Sequence, residues 1–192
     1  TGNTDYNALS ALYHATAGDL TSLSPWSNWM SGQPCTQSWS GLSCSSGRVT
    51  SLSLDGWAYS LTGTLPTAIQ GLRQLTNVNI QSNSLTGTLP TQIGAWADLT
   101  SLGISGNTLS GSLPTEFGTL TLLTEMQLDS TQLSTSLPTQ VGEMQGLSRI
   151  QMIYGVTTFG SLPSELGQLS DLTSFSFDSF CGSIPTEVSA MT

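Results

Sequence analysis

Lysine is absent from this 192-residue sequence, histidine occurs once, and only 8% of positions are charged, against roughly 25% in an average soluble protein. The basic residues are Arg48, Arg73 and Arg149, and the formal net charge is -9. So few cations argue against nucleic acid or anionic membranes as partners, because neutralising phosphates takes clustered basic side chains. No apolar run approaches the roughly 20 residues that cross a bilayer, which argues against membrane insertion. The HExxH, GxSxG, P-loop and CxxC signatures are missing, and His14 stands alone on a cap segment beside Tyr13. Metal, cofactor and catalytic roles are therefore not expected. No Asn-x-Ser/Thr sequon occurs either, so no face is expected to carry N-linked glycan.

Cysteine is scarce. Cys35 and Cys44 lie nine residues apart beside Trp39, and Cys181 stands far downstream, so one short-loop disulfide plus one free thiol is the simplest arithmetic. That points to an oxidising compartment, with buried cytosolic thiols as the alternative left open. The sequence begins at Thr1 rather than Met, which reads as a mature, processed chain that is secreted or displayed at the cell surface.

What the chain has in quantity is hydroxyl: Ser and Thr fill 58 positions. They sit within a repeat. A Leu/Ile-Pro dipeptide ends at Pro66, Pro90, Pro114, Pro138, Pro163 and Pro185, at spacings of 24, 24, 24, 25 and 22. Upstream of each lies an alternating apolar core, as in Val49–Leu54, Leu75–Ile80, Leu99–Ile104, Leu123–Leu128, Leu147–Met152 and Leu172–Phe177. Period-two alternation predicts six strands stacked in parallel, apolar side chains inward and polar ones outward. After each proline comes Thr or Ser and then, in most repeats, a nearby Gly, which predicts a hydroxyl-capped helical turn closed by glycine.

These residues resemble the plant-type leucine-rich repeat, best matched in Leu75–Pro90 and Leu99–Pro114, and the N-terminal segment resembles that family's cap. The resemblance implies an α/β solenoid, a leucine-rich-repeat superhelix. Its parallel sheet would line the concave face, with short second strands and helical turns on the convex side and a helical cap at the N-terminus. Residues 1–48 would form the cap, with a Cys35–Cys44 disulfide, and residues 49–192 six repeats. The family's ladder asparagine is present at Asn83 and Asn107 but replaced by Trp57, Thr131, Gly155 and Phe180 elsewhere. The usual paired-cysteine C-terminal cap is missing, so end-to-end self-association is one expectation.

Two faces are candidates for function. On the concave sheet the polar positions include Glu125, Gln127, Asp129, Arg149, Gln151, Tyr154 and Asp178, with Trp57 and Tyr59 at the N-terminal edge. Receptor ectodomains and polygalacturonase inhibitors of the family use that face for proteins or glycans. Paired carboxylates there invite a glycosidase reading, but Glu125 should fall opposite Arg149 on the next rung and form a cross-strand ion pair. On the second face, Thr62, Thr86, Ser110 and Ser134 form one column and Thr64, Thr88, Ser112 and Ser136 another, degrading at Phe159 and Cys181. At about 4.8 Å per rung the array is similar to those of ice-binding solenoids. The function expected is a non-catalytic extracellular binding module for a protein or glycan, with ice binding as the alternative and a structural or adhesive surface protein that assembles end to end as a further one.

Overall fold

The computed structural model describes residues 4–16, 26–133, 137–153, 162–177 and 184–189. Its strands in chain order are β1 (Leu42–Ser45), β2 (Arg48–Ser53), β3 (Thr62–Gly63), β4 (Asn77–Asn79), β5 (Ser84–Thr88), β6 (Ser101–Gly103), β7 (Thr108–Gly111), β8 (Glu125–Gln127), β9 (Gln132–Leu133), β10 (Arg149–Met152) and β11 (Ser174–Phe177). Helix α1 (Thr4–Thr16) precedes them and a single turn, α2 (Thr186–Ser189), follows. One sheet runs β1-β2-β4-β6-β8-β10-β11 and a shorter one β3-β5-β7-β9. The chain is a leucine-rich-repeat solenoid whose long sheet is the concave face.

Alternation drives this arrangement. Leu52, Val78, Leu102, Met126 and Ile150 point inward from successive strands and are buried, while the residues on either side of each face outward. Pairing follows the repeat: Asn77 lies opposite Ser101, Ser101 opposite Glu125 and Glu125 opposite Arg149. Each rung thus repeats the pattern of the last, and the inward leucines stack into one continuous core. In β11 the inward residues Phe175 and Phe177 are only half-buried.

The six anticipated strands, β2, β4, β6, β8, β10 and β11, pair in parallel, and three local features go beyond or correct the expectations. First, a strand that the repeat pattern did not predict, β1, extends the sheet at its N-terminal edge. β1 and β2 form an antiparallel hairpin whose turn residues, Ser46 and Gly47, have φ of 50° and 75°, the paired positive values that match strand twist in a tight hairpin.

Second, the ladder position of the first repeat is held by Tyr59, not Trp57. Six residues separate Leu54 from Leu61, where four separate Ile80 from Leu85, so two extra residues bulge between them. Tyr59 is 6% exposed and packs edge-on against Trp26, while Trp57 is 92% exposed.

Third, the convex elements are 3-10 turns, such as Thr91–Ala95 and Thr115–Thr119, and their N-cap is the proline, without a side-chain cap. The hydroxyls of Thr115, Thr139 and Ser164 point instead to the next side chain, Glu116, Gln140 and Glu165. The glycines of these turns serve close approach. A Cβ on Gly118 would stand 2.8 Å from the carbonyl oxygen of Gln140 on the next rung, and one on Gly142 equally close to that of Glu165.

The cap is tied to the repeats by charge and by rings. Asp5, 1% exposed, accepts hydrogen bonds from Nε and Nη2 of Arg48 and from the Val49 amide, at 3.0, 2.7 and 2.8 Å. Tyr13, Trp26, Trp29, Trp39 and Tyr59 form a buried aromatic cluster beside it, and Cys35 and Cys44 are joined.

Candidate functional site

The concave strands present three outward columns. The first runs Ser51, Asn77, Ser101, Glu125, Arg149 and Ser174, the second Ser53, Asn79, Gly103, Gln127, Gln151 and Ser176. The third follows where each strand ends: Asp55, Gln81, Ser105, Asp129 and Ile153. Glycine in the second column opens the floor at Gly103, and a neighbouring side chain crosses there. Gln81 Nε2 donates to Gln127 Oε1 two rungs away at 2.6 Å, and a Cβ on Gly103 would lie 2.3 Å from that Nε2. Gln127 Nε2 donates in turn to Glu125 Oε1 at 2.9 Å, and Arg149 Nε stands 3.8 Å from the same oxygen. A single polar row thus spans the rungs of β4 to β10.

The Glu125–Arg149 pair is the cross-strand pair anticipated from the register, and its side chains are 35% and 52% exposed. A pair that open to water contributes at most about 1 kcal/mol; its role on this face is to hold two long side chains in place. Asp129 is committed differently. Its Oδ1 accepts the Ile153 amide at 2.6 Å and its own amide donates to Ser105 Oγ at 3.1 Å, so it stitches three rungs together. Gln151 is half-buried opposite Gln127. Tyr154, Asp178 and Cys181 lie outside the described residues. Gln81, Gly103 and Ser105 are members of this surface that sequence reasoning did not single out, although the 24-residue register puts Gln81 and Ser105 in the column of Asp129.

At the N-terminal edge the inserted loop carries Trp57. Asp55 Oδ1 accepts the Trp57 amide at 3.2 Å, the Asp55 carbonyl accepts the amides of Ala58 and Tyr59, and the Gly56 amide donates to the Gln81 carbonyl at 2.8 Å. Burial, and secondarily the Asp55 charge, hold the Tyr59 hydroxyl above its ordinary pKa of 10.0.

The second sheet carries the hydroxyl columns. Thr62, Thr86 and Ser110 do not offer free hydroxyl hydrogens: they donate to the carbonyls of Thr16 at the end of α1 and of Gly63 and Gly87 on the preceding level, at 3.3, 3.1 and 3.4 Å. The side chains of Thr64, Thr88 and Ser112 are exposed, and their hydroxyls make no hydrogen bond among the described residues. The Cγ2 methyls of Thr64 and Thr88 lie over Gly87 and Gly111, where a Cβ would come within 2.9 Å. Pairing here is 22 residues apart rather than 24, with Thr86 opposite Thr108 and Thr88 opposite Ser110, so the columns run oblique to the strands instead of square to them. Ser134, Ser136 and Phe159 lie outside the described residues. A third hydroxyl column, unforeseen, opens the concave strands. Thr76, Thr100, Thr124 and Ser148 each donate to the carbonyl of its counterpart one rung back, at 3.1, 2.8, 2.9 and 2.9 Å.

No helix of the described residues is long and apolar enough to cross a membrane. Among those residues, no group of three His, Cys, Asp or Glu side chains could hold a metal ion.

Comparison with known proteins agrees with this geometry. The Leucine Rich Repeat family model matches residues 74–96 and 98–120. No curated protein matches the sequence. Among solved structures, a chain of the BIR3–SERK2 complex of Arabidopsis thaliana is 28% identical with a TM-score of 0.71, over 93% of this chain and 96% of that one. A chain from the Arabidopsis receptor kinase HAESA bound to the peptide hormone IDA and the co-receptor SERK1 is 26% identical with a TM-score of 0.82, over 100% of this chain and 32% of that one. A plant ice-binding protein is 26% identical with a TM-score of 0.79, over 97% of this chain and 59% of that one. Repeat spacing, fold and these similarities agree: the chain folds as a leucine-rich-repeat solenoid similar to those of plant leucine-rich-repeat proteins.

Proposed function

We propose that this chain is an extracellular, non-catalytic recognition module that holds an extended protein segment or glycan along its concave sheet. The observation that carries the reading is the hydrogen-bonded row Gln81–Gln127–Glu125–Arg149. Side chains locked to one another on a rigid sheet lose little entropy when a ligand docks, which is where affinity is gained. The similar HAESA structure contains a peptide hormone and a co-receptor, which supports the general role without naming a ligand. The test compares the wild type with Gln127→Ala/Arg149→Ala on glycan arrays and peptide libraries. Binders whose affinity falls about tenfold or more in the double variant support the concave face; binders indifferent to it overturn the reading.

A second reading, ice binding, is favoured by one specific observation: hydroxyls at Thr62, Thr86 and Ser110 are fixed in orientation by backbone carbonyls. Ordered hydroxyls at a regular spacing suit an ordered solvent lattice, and the similar plant ice-binding protein lends this weight. Thr88→Tyr sets a bulky ring in the middle of the array without touching the inward leucines. Faceted ice crystals with the wild type and rounded ones with Thr88→Tyr are the expected result; rounded crystals with both remove the ice reading.

A further inference from the structure

Of the five tryptophans, Trp26, Trp29, Trp39 and Trp96 are at most 5% exposed, and Trp57 is 92% exposed. Its loop is an addition to the repeat, not a weakness in it. Four backbone amides fix the insertion to Asp55 and to Gln81, and Gly56 sits so tightly on the next rung that a Cβ there would fall 1.5 Å from the Ser82 carbonyl oxygen. A large indole is therefore held out in water on a loop whose backbone is hydrogen-bonded to Gln81, the head of the polar row.

We propose that Trp57 is a sugar-stacking platform and that the ligand of the concave face is an extended, β-linked glycan; this inference rests on the concave reading above. A pyranose ring has an apolar C–H face that lies on an indole and a rim of hydroxyls that both donate and accept. Gln81, Gln127, Glu125 and Arg149 supply planar amide, carboxylate and guanidinium partners for such a rim. From the rung of Asp55 to that of Gln127 is three strand spacings, about 14 Å, the reach of a few sugar units. A protein partner would want an apolar centre around the aromatic anchor. Among the described outward positions of the concave columns, Ile153 is the sole large apolar residue, and the other exposed large apolar residues among the described ones, Leu122 and Ile184, belong to later repeats. One ring among many hydrogen-bonding groups is the chemistry of sugar recognition.

Trp57 also provides the readout, since an exposed indole is the one that acrylamide quenches. The intact protein is titrated with hexamers of β-1,4-glucose, β-1,4-xylose, β-1,4-N-acetylglucosamine and β-1,3-glucose. At least one of them should shield the exposed tryptophan from acrylamide and shift its emission to shorter wavelength. Trp57→Ala should then weaken binding about tenfold or more, with Trp57→Phe retaining most of it. If no hexamer shields Trp57 at millimolar concentration, or Trp57→Ala binds as the wild type does, the platform is wrong. A peptide that binds through Gln127 and Arg149 while leaving Trp57 open to quencher would overturn the sugar assignment and keep the concave reading. Sugar binding that needs Trp57 but not Gln127 or Arg149 would keep the platform and overturn the concave reading.

Discussion

Asn107 illustrates how much a single buried amide does in a solenoid. Its Oδ1 accepts the Leu85 amide at 3.0 Å, and its Nδ2 donates to the carbonyls of Ile80 and Ile104 at 3.0 and 2.8 Å. Backbone groups on neighbouring levels thus meet at one side chain that is 3% exposed. Asn107→Ala takes this partner from the Leu85 amide and the Ile104 carbonyl, while the Ile80 carbonyl keeps Asn83 Nδ2 at 2.9 Å, and each orphaned group costs about 1–3 kcal/mol. The expected loss is roughly 3 kcal/mol in chemical denaturation, with the slope of the transition unchanged. Thr131, the counterpart one rung on, is buried too and bonds to the Leu128 carbonyl at 2.8 Å, a shorter side chain meeting part of the same need. Asn83 and Asn107 were legible as ladder residues because their spacing repeats the register. The exchange of roles between Trp57 and Tyr59 was not, since an insertion of two residues can be placed on either side of a loop until the core shows which ring it takes in.

At the scale of the element, the short 3-10 turns stack through their glycines. Between Thr115–Thr119 and the following turn the contact is backbone to backbone: a methyl on Gly118 would meet both the Cβ and the carbonyl oxygen of Gln140 at 2.8 Å. Because the obstacle includes main chain, it yields only if the two turns move apart. Gly118→Ala is therefore expected to destabilise by about 1–3 kcal/mol, measured as the shift in denaturation midpoint. A substitution as small as Gln140→Ala on the partner side should leave stability nearly unchanged. Sequence reasoning assigned these glycines to helix termination. Their φ angles are not positive, so their purpose is proximity, a property of the neighbouring rung and thus invisible within one repeat.

For the molecule as a whole, the join between cap and repeats is the region where pH acts. Tyr59 spans that join, packing against Trp26 of the cap while its hydroxyl is held above 10.0 by burial and by Asp55. The folded state thus binds this proton more tightly than the unfolded one. Its contribution is fully present below about pH 10 and is lost as pH rises through the folded pKa. Denaturation midpoints followed from neutral to strongly alkaline pH should fall at the alkaline end, and the fall should be shallower in Tyr59→Phe. Equal slopes would show that burial at this join does not govern the alkaline transition.

The sequence by itself determined the solenoid, the inward leucines, the rung-to-rung pairing of Glu125 with Arg149 and the candidate faces. These follow from periodicity, and a repeat that cannot bury its apolar edge alone must stack on its neighbours in register. Tertiary structure alone decided what each polar side chain faces. Gln81 reaches Gln127 because Gly103 leaves the floor open, the hydroxyls of Thr86 and Ser110 turn to carbonyls on the preceding level, and Trp57 stays in water while Tyr59 enters the core. Those outcomes depend on distances between rungs and on which of two neighbours occupies a given space. A linear pattern fixes the order of residues along each strand, but not those distances.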